Sequence, residues 1–460
     1  MGKLLESLAQ SRLRPHINCS PAFSPFQSAY RPGHSTETGN LKIANDLFEA
    51  VSSGHPSLLI SLDLSAAFDC VLHSNLLHRL TVEFGFTGPS LSWIESYLTD
   101  RKQFVKIGDD KSTICNMTSG VPQGSVLGPL LFSAYLSPIS RLIQSFGLLH
   151  HIYADDITLI LSFDPELSPL KLLNDCTCAL SNWLMFNGLR LNPSKSEVLW
   201  TGTRQQVLSA ASNEPNLAIA DLRVASSHSV KITGVTFDSQ LSFSDHISEV
   251  CKGVNYHLRA LSHIRRFLDT SSANLLAVSI IGARIDYCNS LFSGISESNM
   301  HRLQRLQNRA AHIVTNTNRT TPSTKLLRQL HWLPVPNRID FKIATLTFKV
   351  LTTRQPTYLH TLINPYSSSR SLRSSSQHRL SVPRISSATQ AKAFSSYAPL
   401  LWNNLPQSLR SLAFQPGLSS GSSSYATSTT DTITEASNLV CFKRNLKTFL
   451  FDCPPKSLVP

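Results

Sequence analysis

Two apolar runs in this sequence carry carboxylates where burial alone would forbid them. SLLISLDL (57–64) reads as a buried strand that ends on Asp63, and LLHHIYADDITLIL (148–161) reads as an apolar hairpin with Asp155 and Asp156 in its tight turn. A lone buried carboxylate costs several kcal/mol unless it is paired or binds a metal. Asp is also a favoured turn residue, so an isolated Asp-Asp turn would need no chemistry. If the three acids converge, they repel, and a divalent cation resolves the repulsion. Such an oxygen-rich site suits Mg²⁺, which keeps waters and binds substrate phosphates; Mn²⁺ is the alternative ion. Two ions about 3.5–4 Å apart stabilise the attacking and leaving oxygens of an in-line phosphoryl displacement.

The rest of the chain divides by pattern. Residues 1–35 read as irregular and rich in Pro and Ser, and residues 41–52 as a helix. Helices are expected over 74–84, 90–99, 125–146 and 168–187, a hairpin over 103–118 turning at Gly108–Lys111, and a strand over 189–201. A further hairpin is expected over 222–237, with Ser226, Ser227 and His228 near its turn. Beyond about 243 the pattern becomes helical, over 245–268, 273–290 and 297–315, with a basic amphipathic helix over 438–451. The Ser/Thr-rich stretches 366–378 and 415–437 read as mobile.

Charge follows the same division. Residues 1–240 hold 17 Lys and Arg against 20 Asp and Glu, whereas residues 241–460 hold 25 against nine, a net +16. A field of that sign concentrates polyanions, so nucleic acid is the first partner to consider. The nine cysteines are odd in number and lack zinc-ligand spacing, which predicts reduced thiols in an intracellular protein. No run of eighteen apolar residues is present, so no membrane partner is expected.

The order of blocks around the acids resembles the reverse-transcriptase palm. SLDLSAAFDCV (61–71) is similar to motif A, GVPQGSVLGPLLF (120–132) to motif B and YADD (153–156) to motif C. NGLRLNPSKSEVL (187–199) and ITGVTFDSQLSF (232–243) resemble motifs D and E, and QSAYRPGHSTET (27–38) resembles the fingers block of LINE-type, jockey-like non-LTR retrotransposons. HWLPVPNRIDFKIATLTFKVL (331–351) and AKAFSSYAPLLWNNLP (391–406) are similar to the C-terminal segment of those open reading frames. Leu72 and Thr233 depart from the family pattern, which has an acid and a Leu there.

The resemblance implies an α+β right-hand fold: partial fingers (1–56), a palm of antiparallel sheet backed by helices (57–240), a helical thumb (241–270) and a basic C-terminal region (271–460). It implies an RNA-directed DNA polymerase using an RNA template, a DNA primer, dNTPs and two Mg²⁺ ions in the nucleus, truncated at its N-terminus and without an endonuclease domain. Carried over by position, Asp63, Asp155 and Asp156 hold the ions and Lys195 protonates the pyrophosphate leaving group. Phe68 packs under the sugar and excludes a 2′-OH. Gln123 and Gly124 meet template and nucleotide, Tyr153 belongs to the same substrate site, and Arg31 meets the triphosphate. Lys252, His257, Arg259, Arg265 and Arg266 line the duplex backbone. The competing reading is an inactive element remnant that at most binds nucleic acid through its basic half.

Overall fold

The computed structural model describes residues 2–163, 170–213, 216–219, 222–318, 320–367, 377–414 and 429–452. The chain forms two compact units. One comprises Met1–Gly39, Pro56–Trp200 and Arg204–Thr233; the other comprises Asn40–His55, Thr201–Thr203 and Gly234–Pro460.

In the first unit a four-stranded sheet runs in the order Leu149–Tyr153, Asp156–Ser162, Ser57–Leu62, Glu197–Thr201. The strand Asp156–Ser162 is antiparallel to both of its neighbours. Its interior is buried, as is nearly all of Ser57–Leu62. That explains why both read as continuous apolar runs rather than as alternating ones. Helices His73–Val82, Gly88–Leu98, Gly128–Leu136, Ile139–Ser145 and Leu170–Phe186 share one core cluster with the sheet. The α+β architecture expected from the sequence is therefore present.

Several local expectations are corrected. Residues Gly2–Cys19 form a helix despite Pro15. Tertiary contacts hold it: Leu13 and Ile17 are buried, and the Glu6 carboxylate accepts the Val126 and Leu127 N–H groups at 2.6 and 3.2 Å. The 125–146 helix is two helices, because Pro138 has no N–H to continue the ladder. The 103–118 ladder pairs Ile107 with Asp110, so its turn is Gly108-Asp109 and Lys111 is in a strand. The 222–237 hairpin is not formed as expected. Leu222–Ala225 pairs with Asn216–Ile219 instead, and the later turn falls at Thr233-Gly234, both at positive φ.

The second unit is helical. Helix Ser244–Ile264 buries Ile247, Val254, Leu258 and Leu261, and packs against helix Glu297–Thr315. The segment expected as one helix over 273–290 is helical from Thr270 to Asp286, widened to a π-helical stretch at Ala277–Gly282, and ends where Tyr287 turns extended. Helices Val335–Thr353 and Thr429–Asp452 meet through Phe348 stacked on Phe442, with ring centroids 4.3 Å apart. Residues 368–376 and 415–428, in the stretches read as mobile, lie outside the described residues. Part of helix Thr36–Ser52 belongs to this unit: the Asn45 side chain accepts the Ser395 N–H at 2.9 Å, and Glu49 accepts its hydroxyl at 2.8 Å. The eight described cysteines are free thiols. Among the described residues, no helix is long and apolar enough to cross a membrane.

Leu47, fully buried in that N-terminal helix, tests its integration. Leu47→Ala is expected to cost about 2–5 kcal/mol, read as a lower denaturant midpoint with an unchanged slope.

Candidate active site

Strand register brings the three acids together. Leu62 pairs with Ile157, so Asp63, the next residue, falls opposite Asp156. Tyr153 pairs with Asp156 across the two-residue turn Ala154-Asp155. An antiparallel arrangement thus carries the end of one apolar run and the turn of the other to the same end of the sheet. Asp155 is half-buried, and burial raises its pKa, with repulsion from Asp63 adding to the shift. Water reaches Asp156, yet the surrounding protein pushes its pKa up to about 6, through burial first, then Asp155, then Asp63.

The donor chemistry fits a hard cation, since three carboxylates disfavour one another's charge. Among the described residues, however, no three His, Cys, Asp or Glu side chains form a ready-made cage. Mg²⁺ does not require one, because it binds through one or two carboxylates together with waters and substrate phosphates.

Asp63 is held through its backbone. The Asn192 N–H donates to the Asp63 carbonyl at 2.8 Å, and the Ser65 N–H to the Arg190 carbonyl at 2.9 Å. The same segment then turns, with the Lys195 N–H bonded to the Asn192 carbonyl at 3.1 Å. This delivers the Lys195 ammonium to 3.9 Å from the Asp63 carboxylate. Lys195 is 71 % exposed, so the pair adds little stability and leaves the ammonium accessible.

A second clip joins residues 68–73 to the Gly120–Gly124 loop. The Val121 N–H donates to the Phe68 carbonyl at 2.9 Å, and the Gly120 N–H to the Val71 carbonyl at 2.8 Å. A side chain at Gly120 would strike the Asp69 backbone: its Cβ would lie 2.8 Å from that carbonyl oxygen, at a φ of +87°. Gln123 donates to both Asp69 carboxylate oxygens, at 2.9 and 3.1 Å. Asp69 therefore orients a candidate substrate contact. Gly124 is exposed at φ +74°. Phe68 is half-buried and stacked on Phe132 with centroids 4.3 Å apart, so its ring is fixed from below.

One positioning residue was not singled out in the sequence. Ala154 sits at φ +58°, a strained conformation for a residue with a Cβ. The Gln27 side chain clamps it from both sides. Its amide nitrogen donates to the Ala154 carbonyl at 3.2 Å, and its oxygen accepts the Ala154 N–H at 3.1 Å. Gln27 is 1 % exposed, and its segment runs beside the edge strand, the Ser28 N–H donating to the Ile152 carbonyl at 3.0 Å. Three residues on, Tyr30 feels the acids: burial raises its pKa, and the nearby Asp155 and Tyr153 raise it further. Tyr153 itself is half-buried beside the turn. Arg31 lies over the Phe23 ring and donates to the Ser24 carbonyl at 3.3 Å.

The remaining candidates lie in the other unit. Lys252, Arg259 and Arg266 are exposed, His257 packs edge-on against Tyr256, and Arg266 covers Phe267. Arg265 differs from these. Its guanidinium donates to the carbonyls of Ile313, Val314 and Leu268, so it braces a helix end rather than presenting a free fork.

Residues 1–237 match the family described as reverse transcriptase (RNA-dependent DNA polymerase), and the chain belongs to that family. It is 26 % identical over 351 residues to a probable RNA-directed DNA polymerase from transposon BS of Drosophila melanogaster, covering 74 % of this chain and 38 % of the relative. It is 25 % identical to the RNA-directed DNA polymerase from mobile element jockey of the same organism, covering 67 % and 34 %. The LINE-type, jockey-like resemblance thus holds, and the chain spans little more than a third of these relatives' length. Among solved structures, apo telomerase from Candida tropicalis aligns at 13 % identity and TM-score 0.40, over 77 % of this chain and 61 % of that one.

Two outcomes follow from this geometry. An Asp carboxyl titrating near pH 6 is expected by ¹³C NMR, and Asp63→Asn should move it down, because one of the charges opposing its ionisation is removed. Gln27→Ala leaves both polar groups of a strained turn without their partner, at a cost of about 1–3 kcal/mol. Its expected signature is a shifted Asp156 titration, with the sheet's amide protection retained.

Proposed function

We propose that this chain is an RNA-directed DNA polymerase of a LINE-type retrotransposon, extending a DNA primer on an RNA template with dNTPs. The observation that carries the reading is the convergence of Asp63, Asp155 and Asp156 at one sheet end, where burial, and then the neighbouring carboxylates, oppose ionisation of Asp155 and Asp156. Reverse transcriptases as a family are divalent-metal dependent and bind template and primer; here two Mg²⁺ ions, or Mn²⁺, are the proposed form. When bound, such ions polarise the phosphoryl group and stabilise the attacking and leaving oxygens.

The chain's own residues do the rest. Asp63, Asp155 and Asp156 supply the negative oxygens, on a turn that Gln27 keeps in place. Lys195 brings a proton and a positive charge to the leaving pyrophosphate, and its approach to Asp63 supports that role. Phe68 bars a ribose 2′-OH, a task helped by a ring that Phe132 prevents from tilting away. Gln123, steadied by Asp69, Gly124 and Tyr153 border the nucleotide, and Arg31 takes the triphosphate. Residues 1–56, 57–240, 241–270 and 271–460 act as partial fingers, palm, thumb and basic C-terminal region. Lys252, His257, Arg259 and Arg266 hold the duplex through its phosphates, and priming occurs at a nicked chromosomal target in the nucleus.

Primer extension on poly(rA)/oligo(dT) with purified chain and Mg²⁺ tests the proposal. dTTP incorporation is expected, falling to background in Asp155→Asn with the melting transition preserved. Phe68→Ala should narrow the preference for dNTPs over rNTPs in paired extensions. Extension by Asp155→Asn at the parent rate would overturn the metal assignment, and unchanged discrimination would return Phe68 to a packing role.

A further inference from the structure

A groove of about 740 Å³ opens on the second unit where the end of helix Ser244–Ile264 meets helix Glu297–Thr315. Its lining includes Arg305, Asn308, Arg309, His312, Asn316 and Ser323. No lining residue is acidic, His312 carries the one aromatic ring, and Ile313 is the one large apolar residue among them. Helix Glu297–Thr315 carries its only acid in the first turn, and the sequence from 298 to 339 contains no Asp or Glu.

Arg305 and Arg309 are one helical turn apart, both exposed. Like charges at that spacing repel and weaken the helix. Arg309 makes one hydrogen bond, to the Asn255 side chain at 3.3 Å, and no hydrogen bond or ion pair of Arg305 is found among the described residues. Behind them Arg265 donates to the Ile313 and Val314 carbonyls at 2.8–3.1 Å, so the wall beneath the two arginines is braced.

We propose that this groove binds the phosphodiester backbone of a nucleic-acid strand, through the Arg305 and Arg309 guanidiniums and the amides and hydroxyls beside them. A small apolar ligand would need apolar walls, which the groove lacks. A base-stacking role would call for several large aromatic rings; the lining offers the His312 imidazole alone, and both of its nitrogens are engaged, by Ser323 at 3.2 Å and Thr317 at 3.4 Å. Contacts to phosphate confer affinity without sequence preference. The site goes beyond the polymerase reading and does not depend on it, because binding is measured without dNTPs or metal.

The test uses the full chain with fluorescent 20-nucleotide probes of RNA, single-stranded DNA and duplex DNA, each in two unrelated sequences, by anisotropy across a salt series. Arg305→Gln/Arg309→Gln should weaken binding equally for both sequences. It should flatten the logarithmic salt dependence by about 0.7 per lost contact on a single strand, or about 0.9 on a duplex. The probe class that loses most identifies the strand. Lys443→Gln/Arg444→Gln removes the same charge from another helix of the unit and should leave the slope unchanged. An unaltered slope in the groove variant overturns the proposal, and so does an equal change in both variants, which would make net charge the cause. Equal melting temperatures of the two variants exclude unfolding as the source of a difference.

Discussion

Mutual repulsion among Asp63, Asp155 and Asp156 is the constraint the first unit is organised to withstand. Left to themselves, three carboxylates in a partly buried place would separate or take up protons. Antiparallel pairing of Leu62 with Ile157 denies separation, because moving the acids apart would break a ladder whose side chains form the core. The Asn192 hydrogen bond fixes the Asp63 backbone, and Gln27 fixes the turn that carries the other two. What can still yield is protonation: burial first, and then the Asp155 and Asp63 charges, raise the pKa of Asp156.

Much of this was legible in the residues. The acids stood out because they interrupted apolar runs, and the ordered blocks around them predicted both the sheet and its family. Strand existence was legible because burial on both faces leaves a continuous apolar run. What the sequence hid were contacts between distant segments. Helix Gly2–Cys19 contains a proline, and what holds it is the burial of Leu13 and Ile17 together with Glu6, Gln10 and His16 bonding to backbone more than sixty residues away. Gln27 could not be distinguished from any surface glutamine, since its role exists only once Ala154 is folded against it.

The arginines illustrate a related limit. Charge is countable in a sequence, but the destination of each donor is not. Arg265 and Arg309 look alike as letters in a basic helical region, yet one is saturated by carbonyls and the other faces solvent with a single amide partner. The net positive charge of the C-terminal half therefore overstates the number of free guanidiniums.

Helix Thr36–Ser52 has a consequence for how the chain is made. Most of it belongs to the second unit, and Glu49 meets Ser395 across 346 residues of sequence. A ribosome adding roughly 5–20 residues per second needs on the order of tens of seconds to supply that partner. Until then Asn45 and Glu49 lack the Ser395 partner they have in the folded chain. Completion of the second unit thus awaits nearly the whole of synthesis, and a chain terminated before Ser395 lacks the partner that Asn45 and Glu49 hold in the folded unit.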